Sequence, residues 1–123
     1  HRVDRRQRQM CIRDRIWTGC EEHGISPSMV VRQLSSNPAR HFLLDDRKGT
    51  LEVGKDADIV ILKPERYAFD PAGSLSAVQW SSFEGREFTV RVAGTWCRGQ
   101  QVYDGQRIVN QKGDGRFLRP RQA

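Results

Sequence analysis

Lys48-Gly49-Thr50-Leu51-Glu52-Val53-Gly54-Lys55-Asp56-Ala57-Asp58-Ile59-Val60-Ile61-Leu62 is the stretch on which the reading of this chain turns. Residues 50–53 alternate, Gly54-Lys55-Asp56 reads as a turn, and residues 58–62 form a short, mostly β-branched apolar run that Pro64 stops. A run of that kind predicts a strand buried on both faces or nearly so. Upstream stands Asn37-Pro38-Ala39-Arg40. Asn37 is placed to accept from exposed N–H groups and Pro38 is pre-set for a first helical turn, so a short helix is expected to restart here. Its face would carry Ala39, Phe42 and Leu43, and residues 45–49 would end it.

Before it, Ser26 suits an N-cap and Pro27 a first helical position. Met29, Val30, Gln33 and Leu34 then fall on a helical stripe. Residues 16–24 are mixed. Residues 66–69 read as a further short strand, and residues 73–87 show no clean period. Residues 89–99 are strand-rich, with a tight turn expected at Gly99-Gln100. A strand at residues 101–103, a turn at Asp104-Gly105 and a last strand at residues 107–109 complete the pattern, Asp-Gly being a strong hairpin signal.

The chain has 123 residues, a net charge of +6 and 37% hydrophobic residues, enough for one domain with a modest core. Six arginines (Arg2, Arg5, Arg6, Arg8, Arg13, Arg15) against Asp4 and Asp14 give residues 1–15 a charge of +4. A basic run of this kind admits nucleic acid or an anionic membrane as partner, but it lacks aromatic interleaving. The string Gln9-Met10-Cys11-Ile12-Arg13-Asp14-Arg15 looks like translated adapter read-through. Residues 1–15 are therefore expected to be a non-native or disordered basic leader. Cys11, Cys20 and Cys97 form no CxxC pair, which argues against a disulfide framework and for a reducing, cytoplasmic compartment. No apolar run approaches the ~20 residues that span a bilayer.

Taken together, Asn37-Pro38-Ala39-Arg40, residues 48–60, Phe83-Glu84-Gly85-Arg86, Arg98-Gly99 with Val102-Tyr103-Asp104-Gly105, and Gly115-Arg116-Phe117-Leu118 resemble the C-terminal part of the metal-dependent amidohydrolases that open cyclic amides. That group includes dihydropyrimidinase and hydantoinase, allantoinase and dihydroorotase. The likeness covers roughly residues 20–120. The group usually has Phe-Gly-Leu where this chain has Phe42-Leu43-Leu44, a departure that bears on the local chain path.

The resemblance implies an α/β parent: a (β/α)₈ TIM barrel plus a composite β-sandwich built from both chain ends. Residues 16–46 would be the last helices packing on the barrel, residues 47–110 the C-terminal part of the sandwich, with strands at 50–62 and 88–109, and residues 111–123 an extended tail. It further implies a zinc or other divalent metal pair, a small cyclic amide or ureide substrate, and a homo-oligomer, dimer or tetramer, whose tail reaches a neighbouring subunit through Phe117 and Leu118. The partners would be the chain's own barrel and N-terminal sandwich strands. Such ions lower the pKa of bound water to ~7 and polarise the carbonyl. They sit in the parent at a His-x-His pair, a carboxylated lysine, further histidines and an aspartate, at the C-terminal ends of barrel strands.

His1, His23 and His41 form no His-x-His. Asp56 and Asp58, two residues apart on a strand, would point the same way and invite a metal or acid–base reading. With no third ligand near them, turn and strand-start hydrogen bonding is the preferred role. Cys97 has no adjacent base and reads as packing. No residue is assigned a catalytic, cofactor-binding or metal-binding role. The chain is expected to be an inactive, structural fragment of a hydrolase. A reading from another class, a free-standing basic β-domain binding nucleic acid through its arginine-rich start, predicts salt-dependent binding.

Overall fold

A computed structural model describes residues 12–73, 80–110 and 115–122. Arg2, Arg5, Arg6 and Arg8 of the basic run, and Leu75 and Val78, lie outside the described residues. The elements are α1 (Ile12–Glu22), α2 (Pro27–Val31), a π-helical turn (Arg32–Ser36), α3 (Asn37–His41), β1 (Ile59–Ala68), a 3₁₀ turn (Pro71–Gly73), β2 (Glu87–Cys97) and β3 (Gln100–Tyr103). The strands form one sheet in the order β1-β2-β3. By its contacts the chain divides into two units: His1–Pro27 with Lys63–Arg91, and Ser28–Leu62 with Val92–Ala123.

In the first unit the core is aromatic. Phe88 on β2 is fully buried. The rings of Tyr67, Phe69 and Phe83 surround it at centroid distances of 5.8, 5.9 and 6.4 Å. Phe69 N–H donates to Arg86 O at 2.8 Å and Gly85 N–H to Phe69 O at 2.9 Å, closing the chain reversal beyond β1. Helix α1 begins inside the basic segment, ahead of the helices that the resemblance implies over residues 16–46, and no apolar period marks it because the face it buries is polar. Asp14 and Thr18, one helical turn apart, are buried among its described side chains. Tyr67 Oη donates to Asp14 Oδ2 at 3.0 Å, Thr89 N–H donates to Thr18 Oγ1 at 3.1 Å, and the Thr89 hydroxyl donates to Glu21. Arg91 lies 3.9 Å above the Tyr67 ring, a cation–π contact, and its Nε donates to Glu65 at 3.1 Å.

Strand β1 corrects two expectations. It does not stop at Pro64 but runs on to Ala68, absorbing the separate strand expected at residues 66–69. A missing N–H is tolerated because β1 is an edge strand of this sheet. Nor is its apolar start buried on both faces: Ile61 is exposed and Ile59, Val60 and Leu62 are half-buried.

In the second unit, residues 27–41 form one helical run rather than two helices. The π-helical turn carries the chain into α3 without a break, so Asn37 is helical (φ −67°, ψ −46°) and caps nothing. Its N–H reaches back to Arg32 O, the wide i→i−5 bond of a π-turn. The wider turn makes room for the ring of Pro38, which would otherwise press on the preceding turn. Of the apolar stripe only Val30 is buried; Met29 and Leu34 are exposed.

The run ends at Phe42, earlier than residues 45–49. Leu44 N–H bonds to Ala39 O at 2.8 Å and Leu43 N–H to Arg40 O at 3.1 Å. This is a Schellman cap, which needs a left-handed residue at its hinge, usually glycine. Here Leu43 takes that conformation, with φ 54°. The departure noted in the sequence therefore keeps the chain path and accepts the strain of a left-handed L-residue, about 1–2 kcal/mol. Leu43→Gly is expected to raise the unfolding free energy by about 1 kcal/mol in urea titrations, part of the relief being lost to the flexibility of glycine.

The β2–β3 hairpin turns on Arg98-Gly99, one residue earlier than expected, with Cys97 opposite Gln100. Both turn residues have positive φ (49° and 81°), as a two-residue type I′ turn requires. The strand expected at residues 107–109 reduces to a single bridge, Ile108 to Tyr103. Asp104 Oδ1 accepts the N–H groups of Gln106 and Arg107, both at 2.9 Å, and this Asx-type turn takes the place of a longer ladder.

Candidate functional site

Residues 50–58, expected to begin as a strand, instead curl into turns, leaving Leu51 and Val53 on the surface. The cause is a set of charges that pull the segment inward on itself. Lys48 Nζ lies 2.9 Å from Asp56 Oδ2 and is bonded to Asp58 as well. Arg47 Nη2 reaches both oxygens of Asp56 at 3.1 and 3.2 Å. The two carboxylates thus converge, but on an ammonium rather than by strand periodicity. Asp58 Oδ1 also accepts Arg98 N–H at 2.8 Å, and Gly99 N–H donates to Ala57 O at 2.9 Å. The tip of the β2–β3 hairpin is docked on this clasp through main-chain donors.

Gly49 joins the clasp to the helical run. Its carbonyl accepts both Ser35 Oγ (3.1 Å) and Ser36 Oγ (3.0 Å) from the π-turn. A Cβ built on Gly49 would lie 2.6 Å from Ala39 Cβ, and φ there is 95°. The two sequence motifs are therefore one packed unit, in which the small side chain of Ala39 and the missing one of Gly49 let helix and turn touch. Beside them is a cavity of about 360 Å³, lined by the apolar side chains of Val31, Leu34, Phe42 and Leu51 and by the charged Lys48 and Asp58.

The electrostatics favour the charged forms throughout. Burial works against the Lys48 ammonium, but its bonds to Asp56 and Asp58 outweigh this and hold its pKa above the ordinary value. The Lys48 and Arg47 bonds hold Asp56 below the usual carboxylate range. Burial raises Asp58, but Lys48 and the Arg98 N–H outweigh it, so its pKa too is lowered. Asp14 is the opposite case: burial pushes it up more than the Tyr67 bond lowers it. Among the described residues its Oδ1 finds no hydrogen-bond partner.

Carboxylates lowered by folding stabilise above the unfolded pKa of ~3.9 and lose that stabilisation as pH falls through their folded values. Lys48, raised by folding, stabilises below ~10.4 and loses it as pH climbs past its folded value. The stabilisation at Asp14 is present below ~3.9 and lost as pH rises through its raised value. Below pH ~4, amide exchange at Arg98 and Gly99, corrected for intrinsic rate, is expected to speed up, while that at Thr89, on the α1 contact, is not. Equal loosening at both places would refute the assignment.

A dication between Asp56 and Asp58 would have to take the place of the Lys48 ammonium. Among the described residues no group of three or more histidine, cysteine, aspartate or glutamate side chains is placed to hold an ion. His23 and His41 are exposed, His41 resting edge-on against Phe42 with centroids 5.0 Å apart. Cys20 and Cys97 are free thiols, and Arg98 Nη1 lies 3.4 Å from Cys97 Sγ. Asp56 and Asp58 stand out in the sequence, whereas their partners Arg47 and Lys48 do not. The signal was present as two cations about ten residues before two aspartates, across a glycine-marked turn.

A model of the amidohydrolase family matches residues 5–102. The chain belongs to the amidohydrolase family. It is 40% identical over 101 residues to an allantoinase of Bacillus velezensis, a match covering 80% of this chain and 22% of that protein. It is 32% identical over 108 residues to a D-hydantoinase of Ralstonia pickettii, covering 87% of this chain and 24% of that one. A solved structure of a D-hydantoinase superposes with a TM-score of 0.84 at 31% identity, over 89% of this chain and 24% of that chain. This amidohydrolase chain thus spans about a quarter of the length of the relatives it matches. No helix among its described residues is long and apolar enough to cross a membrane.

Proposed function

We propose that this chain is the C-terminal part of a metal-dependent hydrolase of cyclic amides or ureides, and that its own task there is structural. The observation that carries the reading is the commitment of both candidate carboxylates. Asp56 and Asp58 are bound to Lys48, Arg47 and the hairpin tip, which leaves them to hold segments together rather than to activate water. The likeness to allantoinases and hydantoinases supplies the reaction class. The ions and their ligands then belong to a TIM barrel encoded upstream, and the sheet described here to a composite sandwich. Exposed apolar side chains in the second unit (Val31, Leu34, Phe42, Leu51, Ile61) support this, since they are the sort of surface a larger body covers. Assembly as a homo-oligomer is part of the same reading.

The test compares two proteins. The 123-residue chain alone, with and without added zinc, is expected to hydrolyse none of hydantoin, dihydrouracil, allantoin or dihydroorotate, and to hold no stoichiometric zinc by elemental analysis. The protein translated from the genomic reading frame continued upstream is expected to contain a His-x-His strand and to open at least one of these rings. Turnover or bound zinc in the short chain would overturn the proposal, as would an upstream frame lacking the histidine pair.

A further inference from the structure

The strained hinge at Leu43 has a second partner. The tail returns to it: Arg121 N–H donates to Leu43 O at 2.9 Å, and Arg121 Nε donates to Asp45 Oδ1 at 3.2 Å. The two bonds bracket the turn, one on the left-handed residue itself and one two positions beyond. Pro120 precedes Arg121 and confines Arg119 to extended backbone, so the last stretch arrives stiff and loses little entropy on binding. Leu43 stands between Phe42 and Leu44, and both of those neighbours line the cavity beside the clasp while Leu43 does not.

We infer that the C-terminal tail is a strap: by bonding Leu43 and Asp45 through Arg121, it holds Leu43 in its left-handed state and so fixes the wall of the cavity. Strained residues persist where the surroundings over-determine them. Here the Schellman bonds determine the hinge from the helix side and Arg121 determines it from the other. Release of the tail lets Leu43 relax to an ordinary φ, and the Phe42–Leu44 wall moves with it. The inference concerns contacts inside the second unit and stands whether or not the chain is part of a cyclic-amide hydrolase. It gives the tail a task on its own chain, beside the reach to a neighbouring subunit expected from the resemblance; Phe117 is left exposed for any such contact.

Hydrogen–deuterium exchange on the full chain tests the strap. The reporters are the amides of Leu44, Arg47 and Lys48, which bond to Ala39 O and Leu44 O. Four proteins are compared: the chain itself, the chain truncated after Leu118, Leu43→Gly, and the two changes together. Truncation is expected to speed exchange at these amides about fivefold while β2 keeps its protection. In the Leu43→Gly background, where the left-handed state carries no strain, the same truncation is expected to change exchange less than about twofold. Unchanged exchange after truncation would overturn the inference. So would equal loosening of β2, which signals general unfolding, or an equal effect of truncation with leucine and with glycine at residue 43.

Discussion

Phe88→Ala is expected to lower the unfolding free energy by about 4 kcal/mol, the usual range for a fully buried phenylalanine. Phe88 is 0% exposed, and three further aromatic rings pack on it. Rigid rings cannot collapse into the space it leaves, so the cavity term comes on top of the lost transfer energy. The same residue stands next to Thr89, whose N–H and hydroxyl dock α1, so the polar contact of that helix should loosen with it. Domains are stable by only ~5–15 kcal/mol, so this change takes much of the margin. Phe88→Leu, which keeps most of the volume, should cost about 1.5 kcal/mol. Urea titration of the two variants checks both figures; a loss below about 2 kcal/mol for alanine would show that the ring cluster is not the core.

Gly49→Ala should cost about 3 kcal/mol, for two separable reasons. The first is conformational: φ at Gly49 is 95°, a region that an L-residue enters only under strain. The second is steric. The new Cβ would meet Ala39 Cβ at 2.6 Å, Ser36 Cα at 3.3 Å and Ser35 O at 3.4 Å, mostly atoms with no rotamer to escape into. The helical run and the clasp would be wedged apart, and the two serine bonds to Gly49 O would lengthen. A double mutant separates the reasons. Measured against Ala39→Gly alone, which removes the 2.6 Å contact but has its own helix cost, Gly49→Ala should be about 1 kcal/mol less costly, the conformational share remaining. Thermal melts of the single and double mutants measure it, and no recovery at all would mean that contact is not the obstacle.

What could be read from the sequence was the chemistry that is local. Pro27 in a first helical turn, a hairpin tip within one residue of Gly99 and Asp104-Gly105 as a turn each follow from a residue's own backbone preferences. So does the family, because its motifs are built from such residues. What escaped were features that depend on partners far along the chain. Helix α1 buries Asp14 and Thr18, so a search for apolar periodicity passes over it, although a spacing of four between polar residues was there to see. Residues 50–53 alternate as a strand would, yet Lys48 and the two aspartates curl the segment, and local alternation carries no trace of that competition. The π-turn before Pro38 and the left-handed Leu43 are strained solutions, and a sequence announces strain only where glycine marks it. At the candidate site the aspartates were legible as a pair, but their cations were not recognised as their partners.

Asp58 has one partner ten residues away, Lys48, and another forty residues away, the N–H of Arg98. The two bonds must form on different clocks. A loop of ten residues closes in roughly 10–100 ns, long before β1 and β2 can bring the hairpin tip back. The clasp is thus available to a chain still searching for its sheet, and it offers an acceptor on which the tip can dock. Substitutions at Lys48 would then slow folding, whereas those that weaken the Arg98 turn would chiefly hasten unfolding. One aspartate, with no assigned part in chemistry, ties a contact the chain can make locally to one that needs its sheet.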